Sequence, residues 1–374
     1  MMNLRTFYWK INKMKKTILN EIHKELGAKM GEFAGYEMPI QYAGVKHEHL
    51  NVRNNVGVFD VSHMGEFVVS GPNAEKLLQK ICSNDIQKIK VGQAQYNCLP
   101  NEKGGVIDDL IIYRTKKEEY LLVVNASNIK KDWNWIIKWN MIYNAEINDI
   151  SDETCLIAIQ GPNAMKLVKK LSKIDSLPYY TSINSTFANV SNTLIASTGY
   201  TGSGGVEIYC KEKNAIKIWN SIIDAGKYIN IMPVGLAARD TLRIEMGYCL
   251  YGNEINDKIS PIMARLNWIT KTNKNSIGSK KFKFEITNGT NKKLIGLKLI
   301  EKGIPRSGYR IFNTRDTVIG FITSGTHSPS LEIGIGLGYV DSNYSSVGTY
   351  VYVEIRNKKI KGQISKLPFI NTQF

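Results

Sequence analysis

The sequence predicts an α+β fold in which two related halves are followed by a small all-β domain. The first observation is an internal repeat: Gly71-Pro72-Asn73-Ala74 and, 90 residues later, Gly161-Pro162-Asn163-Ala164 each follow a strand and open an amphipathic helix. The second observation is that the chain beyond residue 292 consists of short strand patterns separated by turns. A chain of 374 residues is long enough for two or three such domains.

Composition and charge exclude several classes of protein. With 43% hydrophobic residues the chain is globular, and it contains no apolar run near the ~18 residues that span a bilayer. The net charge is +16, but the lysines are scattered without a dense basic tract, so nucleic acid is not indicated as the main partner. The charge favours an acidic protein partner or a polyanionic ligand. The cysteines are odd in number and lack CxxC spacing, which argues against disulfides and zinc: Cys82, Cys98, Cys155, Cys210 and Cys249.

Residues 1–16 are basic and contain no acidic residue. Arg5 and four lysines alternate with apolar side chains. This pattern is typical of a mitochondrial transit peptide, with a frayed basic tail as the alternative. The sequence therefore predicts a mitochondrial matrix protein whose folded part begins near Thr17.

The first folded segment contains a short predicted helix over residues 17–27, ending at Gly27. His47-Glu48-His49 has the alternation of ligands on one face of a strand, but no third ligand lies nearby, so a metal site is not favoured. His63 is interpreted as a hydrogen-bonded structural histidine rather than a catalyst.

The repeat continues beyond its helices. Gly104-Gly105-Val106 leads to a strand over Tyr120–Val124 and a helix near 128–141, while Gly204-Gly205-Val206 leads to a strand over Glu207–Cys210 and a helix near 214–226. If the halves pack with pseudo-twofold symmetry, the carboxylates that follow the two glycine turns approach one cleft.

Asp108 and Asp109 interrupt a buried, β-branched strand. A carboxylate there must be paired, hydrogen-bonded, protonated or in use. Adjacent strand residues point to opposite faces, so one aspartate faces a site while the other faces a turn or solvent. The alternative is a pair of turn-capping aspartates.

The second half carries a glycine-rich loop and a charged helix. Residues 199–205 lack both the dinucleotide fingerprint and the phosphate-binding loop pattern, so their glycines permit a tight turn or close approach to a ligand. A helix is predicted over 235–250, with Arg239 and Arg243 on one face, either in surface salt bridges or holding a carboxylate in a cleft. Residues 271–292 are predicted to be a linker. The strands of a barrel or sandwich follow at 294–299, 318–324, 335–340, 350–355 and 361–365.

From about Thr17 to Phe374 the sequence resembles the T proteins of the glycine cleavage system, a family of aminomethyltransferases. The resemblance rests on separated motifs in one order: Met30 with Phe33-Ala34-Gly35, Phe59-Asp60-Val61-Ser62-His63-Met64, Gly104–Leu110, Gly199-Tyr200-Thr201-Gly202, Gly235–Glu245, Leu250-Tyr251-Gly252-Asn253-Glu254 and Thr323-Ser324-Gly325-Thr326 with Ser328-Pro329.

The resemblance implies a three-domain cloverleaf around a folate channel, with a folate-binding region over 17–280 and a β-barrel domain over 290–374. It implies that a lipoylated H protein presents an aminomethyl group, whose one-carbon unit passes to tetrahydrofolate with release of ammonia and formation of 5,10-methylenetetrahydrofolate. No nucleic acid or membrane takes part.

The resemblance also assigns roles. Asp109 matches the essential acidic residue near the folate nitrogens, Glu207 matches the carboxylate that accepts the pterin N–H groups, and Arg239 matches an arginine that supports them. Positions lining the channel match Tyr96, Tyr200, Tyr248 and Trp268, with Met64 and Val123 as apolar wall.

Two positions depart from the family pattern. Phe374 stands where relatives carry a ligand-contacting tyrosine, and Met263 replaces a common acidic residue. The alternatives to an aminomethyltransferase are a folate-binding relative that assists iron–sulfur assembly and a non-catalytic basic binding protein. The first is disfavoured because the segment over 198–202 lacks the cysteine of that branch, and the second leaves the two carboxylates without a shared purpose.

Overall fold

The computed structural model describes residues 14–372. Most of the predicted transit segment, residues 1–13, lies outside them, and so does Phe374. The last part of that segment, β1 (Lys15–Lys16), pairs with residues Tyr36 and Glu37, so it belongs to the folded chain. The N-terminal elements form a three-stranded sheet with two helices: β2 (Lys29–Phe33), β3 (Tyr36–Gln41), α1 (Asn20–Glu25) and α2 (Val45–Asn54), in strand order β1-β3-β2.

The His47-Glu48-His49 segment is helical, because it lies in α2, and its prediction as a strand is wrong. Glu48 accepts hydrogen bonds from the backbone N–H groups of Tyr42 and Gly44, which closes the turn before the helix. Within residues 14–372, no group of three or more His, Cys, Asp or Glu side chains is arranged to hold a metal ion.

Each half of the repeat folds into a sheet covered by two helices. The first sheet has the order β6-β7-β8-β5-β9 and all its neighbours are antiparallel. Its elements are β5 (Gly65–Ser70), α3 (Ala74–Ile81), β6 (Ala94–Pro100), β7 (Val106–Lys116), β8 (Glu119–Val124), α4 (Ile129–Tyr143) and β9 (Glu146–Asp149).

The second sheet has the order β11-β12-β13-β10-β4-β14. Its elements are β4 (Gly57–Asp60), β10 (Thr154–Gln160), α5 (Ala164–Leu171), β11 (Ser182–Phe187), β12 (Val190–Ala196), β13 (Gly205–Lys211), α6 (Ala215–Gly226) and β14 (Met232–Pro233). Strands β11, β12, β13 and β10 take the places that β6, β7, β8 and β5 hold in the first sheet, which confirms two related halves.

The match between the two glycine turns is wrong. Gly104 and Gly105 connect β6 to β7, whereas Gly204 and Gly205 lead into β13, the equivalent of β8. Asp109 and Glu207 therefore lie on non-equivalent strands, and the repeat alone does not explain why they meet.

The two sheets face each other across an apolar layer, with their helices outside. Leu121 and Val123 of β8 pack in one cluster with Leu156 and Ala158 of β10. The alternate residues Leu122 and Val124 belong instead to the core beneath α3 and α4. This period-two alternation gives each sheet one helix-facing surface and one surface toward the other half.

The C-terminal strands close into a barrel, which decides between the two predicted architectures. Its strands, in barrel order β15-β18-β17-β16-β19-β20, are β15 (Lys292–Leu299), β16 (Arg310–Phe312), β17 (Val318–His327), β18 (Gly334–Asp341), β19 (Tyr350–Ile355) and β20 (Lys358–Ser365). Helix α7 (Leu236–Met246) precedes the barrel. A further helix, α8 (Ser279–Asn288), replaces part of the predicted linker because Phe282 is buried against Gly104 and Gly278.

Candidate functional site

A cavity of about 710 Å³ lies between the first sheet, the second sheet, α7 and the loops that follow it. Every candidate site residue named from the sequence lines this one cavity: Asp109, Glu207, Arg239, Tyr96, Tyr200, Tyr248, Trp268, Met64 and Val123. Residues spread over more than 200 positions of the chain are thus brought together by the packing of the two halves.

Asp109 faces the cavity from β7. The Tyr96 hydroxyl donates to its Oδ2 at 2.8 Å, and the Asn125 side-chain amide donates to its Oδ1 at 2.9 Å. Burial, followed by the charge of neighbouring Asp108, raises the pKa of Asp109 to about 7. A carboxyl group with a pKa near neutrality can both accept and return a proton at working pH.

Asp108 points away from the cavity, as expected for adjacent strand residues. It accepts hydrogen bonds from the backbone N–H of Asn125 at 3.0 Å and from the Asn128 side chain at 2.6 Å. The turn-capping interpretation therefore suits Asp108, and Asp109 alone faces the site.

Glu207 lies on β13 on the opposite wall and is buried. The Thr198 hydroxyl donates to its Oε2 at 2.6 Å, and Thr198 is joined in turn to the Tyr113 hydroxyl at 2.8 Å. Burial raises the pKa of Glu207, while the Thr198 hydrogen bond and the charge of Arg239 oppose the rise. This bonding fixes the carboxyl group in place.

Arg239 enters the cavity from α7. Its guanidinium carbon lies 4.9 Å from the centre of the Tyr200 ring, and its buried Nη1 has no hydrogen-bond partner within the described chain. An unpaired buried guanidinium nitrogen is costly unless a bound group accepts its hydrogen bond.

Arg243, one turn later, leaves the cavity. It donates to Glu254 at 2.8 Å and to the Ser324 hydroxyl of β17 at 2.7 Å, so it joins α7 to the barrel. Of the two arginines predicted to share a face, only Arg239 lines the site.

Two aromatic pairs form much of the remaining wall. The Tyr200 and Tyr248 rings are stacked, with centroids 5.7 Å apart and planes at 26°. Tyr96 and Trp268 are 5.9 Å apart at 34°, and Trp268 is 58% exposed, which places it at the mouth. Such faces suit a flat ring system.

Several lining residues are absent from the sequence-based set. Asn125 hydrogen-bonds both aspartates, and Tyr179 and Tyr180 line the cavity from a loop. His63, expected to be structural, also lines it. Burial lowers the pKa of His63 to about 4, so it is neutral. The sequence signals for Tyr179, Tyr180 and Asn125 are an aromatic pair after Pro178 and a polar residue directly after β8, and neither is specific.

The other singled-out residues lie in cores. All five cysteines are buried and free, and of these Cys249 also lines the cavity. Met263 packs beside the barrel core rather than in the cavity wall.

Comparison with protein families gives two matches that together span most of the chain. A family described as "GCVT N-terminal domain" matches residues 19–274, and one described as "Glycine cleavage T-protein C-terminal barrel domain" matches residues 292–371.

Full-length relatives agree with these matches. The aminomethyltransferase of Flavobacterium psychrophilum is 51% identical over 358 residues, covering 95% of this chain and 99% of that protein. The aminomethyltransferase of Bacteroides thetaiotaomicron is 50% identical over 360 residues, with the same coverage. The crystal structure of the glycine cleavage system aminomethyltransferase T from Bartonella henselae superimposes with a TM-score of 0.90 at 33% identity, covering 96% of this chain and 98% of that one.

These findings correct the predicted location. The relatives with about half of their residues identical are bacterial proteins, and bacteria have no mitochondrial matrix. The mitochondrial location predicted from the basic N-terminal segment is therefore wrong, and a cytoplasmic enzyme is supported instead. Among residues 14–372, none of the helices has both the length and the apolar character needed to cross a membrane.

Proposed function

The chain belongs to the glycine cleavage T-protein family of aminomethyltransferases, and from that premise we propose how its cavity works. The activity is transfer of a one-carbon unit from an aminomethyl-lipoyl carrier to tetrahydrofolate, with release of ammonia. The proposal is that Glu207, Asp109 and Arg239 hold the folate and move the proton. The observation that carries it is that these three groups and two aromatic pairs line one cavity.

Glu207 binds the pterin. A pterin presents a ring N–H beside an amino group, and one ionised carboxylate accepts both, forming a charge-assisted pair. The hydrogen bond from Thr198 to Oε2 keeps the carboxylate oriented before the ligand arrives, so little rotational freedom is lost on binding.

Asp109 accepts the proton that the nucleophilic nitrogen loses. Tetrahydrofolate supplies the nitrogen nucleophile, which must lose a proton as it takes up the one-carbon unit. Asp109, with a pKa of about 7 and with Tyr96 and Asn125 fixing its two oxygens, is placed to accept that proton.

Arg239 and the stacked tyrosines position the ligand. The unpaired Nη1 of Arg239 donates to a polar atom of the bound folate, and the Tyr200–Tyr248 pair packs against a flat ring. Both contacts exclude water and fix the distance between the reacting atoms, which is a large part of catalysis for two-substrate reactions.

The carrier is a lipoylated H protein in this proposal. The +16 net charge supports an acidic partner, since opposite charges accelerate encounter. We also propose the boundaries 17–280 for the folate-binding region and 290–374 for the barrel domain. The family matches over 19–274 and 292–371 and the closure of β15–β20 into a barrel support them.

The test is tetrahydrofolate-dependent ammonia release from aminomethyl-loaded H protein, with wild type and Asp109→Asn side by side. We expect the variant to lose at least about 100-fold in kcat, because its amide cannot accept the proton. Folate binding, followed as a shift in Tm with added tetrahydrofolate, should persist in both.

Each outcome is informative. A variant that binds folate and turns over at the wild-type rate removes Asp109 from proton transfer. A wild-type protein that binds folate without releasing ammonia is a folate-binding relative with another task. Stabilisation by RNA instead of tetrahydrofolate would point to the basic binding protein, which the relatives do not favour.

A further inference from the structure

Behind the catalytic carboxyl lie two more carboxyl groups. Asp109 and Asp108 occupy opposite faces of β7. Asn128, which donates to Asp108, is the N-cap of α4, and Asp132 lies one turn later on the same face of the helix, where its carboxyl group interacts with that of Asp108. The proposed function uses only Asp109, so the buried acidic pair behind it is unexplained.

Asp108 is the member of the pair that receives hydrogen bonds. Its oxygens accept from the backbone N–H of Asn125 at 3.0 Å, from the Asn125 side chain at 2.9 Å and from the Asn128 side chain at 2.6 Å. Burial raises the pKa of Asp108, and these three N–H donors oppose the rise because they stabilise the ionised form.

Asp132 is the member of the pair that lacks hydrogen-bond donors among the described residues. It is buried, and neither of its oxygens receives a hydrogen bond from any donor in residues 14–372. Its neighbour Lys131 directs its ammonium group to the Tyr251 hydroxyl at 2.6 Å. Burial, and then the negative charges of Asp108 and Asp109, raise the pKa of Asp132 well above its usual value. When two carboxyl groups share a buried site, the pKa of one of them is strongly raised, so that one proton is retained.

We propose that Asp132 is a positioning residue whose protonated carboxyl group donates a hydrogen bond to Asp108 and thereby, through Asp108 and Asn125, fixes the carboxylate of Asp109 in the cavity. The link is the Asn125 side-chain amide, whose nitrogen lies 2.9 Å from an oxygen of Asp108 and 2.9 Å from an oxygen of Asp109. Asp132 fixes Asp108 by a hydrogen bond, Asp108 fixes the Asn125 side chain, and the Asn125 side chain fixes Asp109. The kinetic part of this inference rests on the proposed role of Asp109.

The protonation of Asp132 is tested by infrared spectroscopy of protein labelled with ¹³C at the aspartate carboxyl carbons. The spectrum is taken at about pH 8.5, where Asp109 is ionised. We expect a carbonyl band of a protonated acid that shifts with the label, persists in Asp109→Asn and is lost in Asp132→Asn. The label leaves the buried Glu66 carboxyl unshifted, so Glu66 does not interfere.

The positioning role is tested by comparing two variants in ammonia release. Asp132→Leu removes the donor to Asp108, and we expect kcat to fall about 10- to 100-fold, as for a misplaced catalytic group. Asp132→Asn keeps a neutral donor and should recover kcat to within about 3-fold, with the rise of kcat around pH 7 unmoved.

Other results overturn the proposal. If the labelled band is missing in wild type or survives in Asp132→Asn, Asp132 is not the protonated acid. If Asp132→Asn moves the rise of kcat by about a pH unit, a negative charge was removed and Asp132 was ionised. The infrared result holds even if Asp132→Leu fails to fold or wild type releases no ammonia, so failure of the transfer reaction and failure of this inference are distinguishable.

Discussion

At the scale of the residue, burial of the Asp109 carboxyl group makes the stability of the folded protein depend on pH. Asp109 has a pKa of about 7, against an ordinary value of 3.8, so between these pH values the folded protein binds a proton that the unfolded chain has released. Stability therefore falls as pH rises through this range, because the ionised group is held in a place that disfavours charge. The same burial gives the group a pKa suited to proton transfer.

This gives a stability prediction for Asp109→Asn. The amide of the variant does not titrate. We therefore expect the difference in free energy of unfolding, variant minus wild type, to increase by about 2 kcal/mol from pH 5 to pH 8. Urea unfolding of both proteins at the two pH values measures the difference. Parallel pH dependence of the two proteins would show that Asp109 has an ordinary pKa.

Sequence patterns predicted which residues belong to the site, but they did not predict the hydrogen bonds that these residues make. The interrupted strand pointed to Asp108 and Asp109, and alternation required that only one of them face a site. Family resemblance was needed to choose Asp109 and to give Glu207 and Arg239 their roles. The roles of Asn125 and Asp132 could not be read from the sequence, because a polar residue at a strand end or in a first helical turn is usually a cap or a surface group.

At the scale of the element, the segment between the halves and the barrel is held by a lysine. Lys274 donates to the backbone carbonyls of Gln79 at 3.0 Å and Cys82 at 2.7 Å, and to that of Asn84, at the C-terminal end of α3. These carbonyls have no partner within the helix, so Lys274 acts as its cap. Burial lowers the pKa of Lys274 to about 8.

We expect Lys274→Met to lower the free energy of unfolding by about 1–3 kcal/mol, since it leaves buried carbonyls without a donor while keeping the aliphatic volume. Lys283→Met, at an exposed lysine on α8, is the matched control. Thermal unfolding of the two variants beside wild type measures this. Equal losses in both variants would show that the cap contributes nothing specific.

The linker prediction failed for a physical reason. Residues 271–292 are polar, and composition alone indicates a loop, but Phe282 and the Lys274 cap tie the segment to the first half. A three-residue strand such as Arg310–Phe312 is likewise too short for its alternation to be recognised, and only the closed barrel defines it.

At the scale of the whole molecule, a net charge of +16 has a kinetic consequence for the proposed acidic carrier. We expect kcat/KM for loaded H protein to fall at least about 10-fold between 50 and 500 mM salt, since the Debye length shortens to a few ångströms. The matched control is kcat at saturating carrier, which should change little. A kcat/KM that does not respond to salt would contradict charge-guided docking.

The overall architecture was predictable because it is repetitive. Two matched strand–helix units and a run of late strands specify the fold class, two α+β halves and a β-barrel, and the structure confirms it. The cavity was not predictable from the residues, because it depends on how the sheets face each other, and the mistaken pairing of the glycine turns shows that local similarity does not specify which strands are equivalent.

The buried arginine at the end of α7 limits how this architecture can be divided. Arg243 reaches Glu254 and the barrel hydroxyl of Ser324, while Glu245 of the same helix accepts from Ser328 and Ser330. The same helix carries Arg239, which lines the cavity. Removing the barrel would therefore expose the charges of Arg243 and Glu245 close to the cavity. The barrel domain is consequently a poor unit for recombination, because a chimaera with a foreign barrel would have a misplaced cavity wall unless these serines came with it.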